Sequence, residues 1–151
     1  MPGEQIAFHT FQTLLEVIST VISFNVSYSK IKLISILNGS YLMISKHKPE
    51  GWVVLTFQTF DDKSCYVLFC SWKNDDVWRV SSGSMVLPHL SSCGNYWIWP
   101  QISGSTYELP VDEENGYTFY TGAVLDDLLS KGYRDGTHLK RIALKDIMGA
   151  K

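Results

Sequence analysis

The chain has no concentration of basic charge. Its 13 Lys and Arg are outnumbered by 15 Asp and Glu, for a formal net charge of -2. The densest basic set, Lys140, Arg141 and Lys145, is diluted by Asp146. A surface that tracks phosphates along a strand needs clustered cations, so nucleic acid is not an expected partner. Cysteine is sparse as well. Cys65, Cys70 and Cys93 are an odd number with no C-x-x-C pair, which argues against a disulfide scaffold or a zinc ribbon and favours a reducing compartment. His9, His47 and His138 fall on separate expected elements with no shared carboxylate spacing, so neither a metal nor another cofactor is expected. A glycine-rich phosphate loop is missing too: Ser81-Ser82-Gly83-Ser84 lacks the following lysine and the strand-to-helix setting that such a cradle needs. The most apolar stretch, 6–24, is broken by His9, Thr10, Gln12, Thr13 and Glu16, too polar for a membrane span. Glu4 stands where a secretory leader needs basic residues, so no signal peptide is expected.

What remains is the composition of a soluble globular protein, 45% hydrophobic and 19% charged, with aromatics at 13%. One α+β domain spanning 1–151 is expected, large enough to close its own core. Phe8, Phe11, Leu15, Ile18 and Ile22 recur at helical spacing and predict a helix over 4–24. Asn38-Gly39, the pair that best tolerates two positive φ angles, predicts a tight hairpin between strands at 29–37 and 40–46. Strands at 52–60, 64–72 and 77–81 follow, separated by polar turns. A loop over 82–95 then leads to shorter strands near 96–99, 105–109 and 117–121. Residues 123–130 and a helix capped by Thr137 and running through 138–148 close the chain. The expected architecture is an antiparallel meander of about five to eight strands in one sheet, with the N-terminal helix and C-terminal helices packed on it.

The segment "NYWIWP" raises the main functional question. In a strand, Tyr96 and Ile98 share one face while Trp97 and Trp99 share the other. Either both faces are buried, or Trp97 and Trp99, joined by Tyr107 and Tyr120, form an exposed ledge for a partner. Pro100 fits an edge position, where a missing N–H costs little. Two catalytic alternatives are weaker. Cys93 lies four residues after His89 in the loop, a spacing that allows a Cys-His pair but supplies no orienting Asp or Asn. Arg79, then Ser103-Gly104-Ser105-Thr106, then Glu113 and Glu114 resembles the motif order of ADP-ribosyltransferases, which implies a transferase. The order departs from that family's pattern because its two glutamates are separated by one residue, whereas these are adjacent.

A second resemblance comes from Tyr66 to Gly83, "YVLFCSWKNDDVWRVSSG". It is similar to a strand-turn-strand pattern in effector proteins of intracellular bacteria, carried here by Ser71, Trp78, Arg79, Ser81 and Gly83. The likeness covers about an eighth of the chain and implies delivery into a host cytosol and engagement of host proteins. The leading expectation is therefore a non-catalytic recognition domain, cytoplasmic or delivered into a host cytosol, that binds another protein. The alternative is a small transferase or hydrolase using Cys93 and His89, or Arg79 with Glu113 and Glu114.

Overall fold

The computed structural model describes residues 45–59, 61–134 and 138–149. The expected helix over 4–24, the Asn38-Gly39 hairpin and the Thr137 cap lie outside the described residues. A two-residue strand, β1 (Lys46–His47), is followed by three antiparallel strands: β2 (Gly51–Gln58), β3 (Ser64–Trp72) and β4 (Val77–Val80). Their sequences are rich in Val, Phe, Tyr and Trp, which suit a pleated and packed surface. The turns between them rest on Asp62 and Asp76, both in the left-handed region at φ 59° and 50°, which Asp tolerates better than most residues.

Every residue of β2 from Gly51 to Phe57 is buried, as are five consecutive residues of β3 from Val67 to Ser71. Strands covered on both faces read as near-continuous apolar runs, and these do. On one face Val53, Leu55, Phe57, Cys65, Val67 and Phe69 pack against Leu125 and Leu128, which belong to helix α1 (Phe119–Arg134). On the other face Trp52, Val54, Leu68 and Cys70 meet Trp99, Tyr107 and Leu109. These last three come from a second sheet, made by β5 (His89–Leu90), β6 (Tyr96–Pro100) and β7 (Thr106–Pro110) together with β1. The layers are thus helix, inner sheet, outer sheet. Both buried tryptophans donate their indole N–H to a carbonyl, Trp52 to Pro110 at 2.7 Å and Trp99 to Val86 at 2.8 Å, as a buried indole must.

Among the described residues the fold is mixed α+β, but two four-stranded sheets replace the single meander, with orders β1-β7-β6-β5 and β4-β3-β2-β8, where β8 is Lys140–Ile142. The physical reason is the second apolar face of β2 and β3, which one sheet and its helices would leave in water. Residues Lys46 and His47 do not lead into a strand beside β2; they pair in parallel with β7. Strand β8 (Lys140–Ile142) and the short helix α2 (Leu144–Met148) replace the helix expected over 138–148. Leu139 and Ile142 would share a helix face, but residues three apart in a strand face opposite ways. Accordingly, Leu139 packs in the core beneath α1 and Ile142 in the core between the sheets, while β8 pairs antiparallel with the edge of β2. Nor is 117–121 a strand, since α1 begins at Phe119. Among the described residues, no helix is long and apolar enough to cross a membrane.

Candidate functional site

After β7 the chain crosses from the outer sheet to the helix layer, passing the start of β2. A single 3-10 turn, Val111–Glu113, begins the crossing. Asn115 donates its N–H to the Trp52 carbonyl at 2.7 Å. Gly51 packs so closely on Gly116 that a side chain there would run into the Gly116 carbonyl. Glu113 pairs with Lys73 at 2.6 Å, and Glu114 accepts the Leu144 N–H at 2.7 Å. The crossing is therefore fixed on two sides before α1 starts.

Thr118 starts the helix through a reciprocal cap. Its hydroxyl oxygen accepts the Thr121 N–H at 3.1 Å, while the Thr121 hydroxyl oxygen accepts the Thr118 N–H at 2.8 Å. This is the logic of a capping box with Thr in place of the acidic residue. The Thr118 hydroxyl also donates to Asp76 at 2.6 Å, which ties the helix start to the β3–β4 turn. Tyr117 is held by a different set of contacts. Its ring lies on Gly122, where an added Cβ would come within 2.8 Å of it. The Arg141 guanidinium lies over the same ring, 5.3 Å from the centroid, and donates to the Tyr117 hydroxyl at 3.2 Å and to Asn115 at 3.0 Å. On this rigid base, Phe119 and Tyr120 occupy the first turn of α1 with 97% and 40% of their surface exposed, beside Tyr117 at 37%. A phenylalanine left in water forgoes roughly 1.5–3 kcal/mol of burial. A second exposed apolar set, Val86, Leu87, Leu90 and Tyr96, lies along β5 and its neighbours in the outer sheet.

The aromatic ledge expected from the sequence does not assemble. Trp99 and Tyr107 are buried, and Trp97 is half-buried against the same core between the sheets. They cannot present ring faces to a partner, because β2 and β3 need that face of the outer sheet as a cover. Tyr120 is exposed but belongs to α1, on the opposite face of β2 and β3. Pro100 is in a strand with neighbours on both sides, yet it pairs only with β7, because short β5 reaches no further than Ile98 and Trp97.

The catalytic alternatives are not brought together either. Cys93 is exposed, and its thiol sits 3.3 Å from the Ser91 hydroxyl. That contact and the Asn95 backbone N–H hold its pKa below the usual thiol range. His89, in β5, pairs with Ile98 of β6. Cys65 and Cys70 are buried on opposite faces of β3, and burial pushes the Cys65 thiol up to about 11. Arg79 lies opposite Cys70 on β4, whereas Glu113 and Glu114 are engaged by Lys73 and Leu144. Among the described residues, no group of three or more His, Cys, Asp or Glu is placed to hold a metal ion.

Sequence reasoning missed Tyr117, Phe119 and Arg141. The available signal was the Thr-x-x-Thr spacing at 118 and 121, which marks a helix start and leaves Phe119 on its first turn. No protein-family model, curated protein or solved structure matches this chain, and its functional reading rests on its own surface.

Proposed function

We propose that this protein is a non-catalytic recognition domain that binds another protein through the first turn of α1. The observation that carries the reading is Phe119, an exposed aromatic on a backbone fixed by the Thr118–Thr121 cap and by Asp76. Aromatic side chains on rigid supports make effective anchors because little conformational freedom is lost when they are covered. The partner expected is a protein with an apolar pocket for Phe119 and an acidic rim. The rim follows from Arg141, which stacks on Tyr117 and forms none of the ion pairs among the described residues. The resemblance of Tyr66 to Gly83 to bacterial effectors extends this reading to a host protein met in a host cytosol.

The test uses the purified 1–151 chain to capture partners from cytosolic lysate, in parallel with Phe119→Ala and Arg141→Glu. Supporting proteins are those retained by the parent and lost with both variants while thermal melts stay unchanged. A retained set indifferent to Phe119→Ala would remove this surface from consideration.

A further inference from the structure

A second cluster lies away from the Phe119 surface, where β4 reaches towards the outer sheet. Arg79 is directly opposite Cys70 across the β3–β4 pair, so both side chains leave the same face. Cys70 packs in the core between the sheets with Tyr107. Arg79 therefore projects along the open margin of that core, exposed to solvent, and its guanidinium acts on Tyr107, His47 and Cys70 alike. The His47 ring lies against the Tyr107 ring, with centroids 4.8 Å apart.

Two features of this cluster are unsatisfied. Arg79 is hydrogen-bonded to Tyr107 but takes part in none of the ion pairs among the described residues, so its charge has no counter-ion there. The Nε2 atom of His47 is buried with no hydrogen-bond partner among the described residues, a condition relieved by a bound group that supplies the missing partner. Nearby charge offers no relief. Lys46 and Lys48 both turn to Glu108, at 3.8 and 3.1 Å, so the two ammonium groups take up that carboxylate and it does not pair with the guanidinium.

We propose that Arg79, His47 and the Tyr107 hydroxyl form a binding site for a phosphate-type dianion. The guanidinium fork matches two oxygens of a phosphate. The phenol supplies a further donor, and the imidazole takes up a proton when the second negative charge arrives. A carboxylate would need only the guanidinium and would leave His47 neutral, which separates the two chemistries.

The experiment is an NMR titration of the histidine ring protons in the full chain, in phosphate, acetate and chloride at matched ionic strength. In phosphate the His47 midpoint rises saturably, by about one unit for tenfold tighter binding to the imidazolium form. His89 and His138, both exposed, serve as internal references and stay put. Arg79→Gln abolishes the rise. Arg79→Lys, which keeps the charge without the fork, retains a smaller one. No rise at His47, an equal rise at all histidines, or a rise that survives in Arg79→Gln would each overturn the site. A response to acetate as large as that to phosphate would overturn the dianion.

Discussion

Strands β3 and β6 carry similarly dense runs of large apolar residues, yet they are buried differently. In β3 the faces alternate between two cores: Val67 and Phe69 lie beneath α1, while Leu68 and Cys70 lie against the outer sheet. In β6 one face is covered far more than the other, on which Ile98 is half-buried. Trp99 is wholly buried and Trp97 partly so, whereas Tyr96 on the other face is exposed. An aromatic run thus does not by itself report burial on both faces. The number of layers above and below the strand decides that, and β6 lies in the outer sheet.

The comparison is broken most forcefully by truncation. Phe69→Ala removes a buried ring stacked on Trp78, and Trp99→Ala removes a buried indole together with its bond to Val86. Each is expected to cost about 3–5 kcal/mol in urea unfolding. Tyr96→Ala, on the open face of β6, should stay within about 0.5 kcal/mol of the parent. A small loss for Trp99→Ala, or a large one for Tyr96→Ala, would reverse the assigned faces of β6.

A smaller effect is expected at the junction where the two sheets and the helix layer meet. Gly51→Ala places a methyl against the Gly116 carbonyl, and both sides of that contact are backbone. Overpacking of this kind costs roughly 1–3 kcal/mol. Because Asn115 and Trp52 share a hydrogen bond next to it, the loss should be accompanied by slower recovery of the α1 start, read by hydrogen exchange at Thr121. Gly94 gives the contrasting case: an added Cβ there meets nothing, and only its φ of 77° penalises a side chain. Gly94→Ala should cost about 1 kcal/mol or less and leave exchange at Thr121 unchanged.

The same contrast explains what the sequence disclosed. Strands β2, β3 and β4 were legible because each is a β-rich run bounded by polar turns, and their ends fall within a residue or two of expectation. Strands β6 and β7 were found for the same reason. The pairs of residues in β1 and β5 were not, because so short a strand has no periodicity of its own and exists only through β7 and β6. Strand β8 was hidden by its spacing, since Leu139 and Ile142 satisfy a helical pattern as well as a strand that faces two cores. At the candidate site Tyr120 was named only as part of a ledge with Trp97, Trp99 and Tyr107 that does not assemble, and Phe119 was assigned with it to a strand because the helix cap was read as part of that strand. His47 escaped because its partners Tyr107 and Arg79 are remote in the chain.

The margin of the inter-sheet core should also respond to pH. Burial, and secondarily the charge of Arg79, holds the His47 pKa below its ordinary value of 6.5. Protonation is therefore easier in the unfolded chain than in the folded one. The stability His47 contributes is present in full above pH 6.5 and is lost as pH falls from there through its folded value. Melts in chloride buffer should decline over that window, and His47→Gln should flatten the decline. An equal slope in parent and variant would mean that other groups govern it.

The smallest expected change in stability belongs to the other aromatic of the helix layer. Phe69 and Phe119 are the same side chain on elements that pack together, one with no exposure and one with 97%. Removing the first opens a cavity; removing the second returns apolar surface that was never withdrawn from water. The cap at Thr118 and Thr121 uses backbone N–H groups and hydroxyls, none of which involves the Phe119 ring. Phe119→Ala should therefore change the unfolding free energy by no more than about 0.5 kcal/mol, and Ala at the first helical position can even add slightly to it. Thr118→Ala is the sharper control. It removes the cap and the bond to Asp76 while keeping the ring, and should cost about 1 kcal/mol. If the ring acts as an anchor, partner capture falls with Phe119→Ala despite its unchanged melt, and falls less with Thr118→Ala despite its lower one. The opposite ranking would show that the helix start, and not the exposed phenylalanine, is what a partner meets.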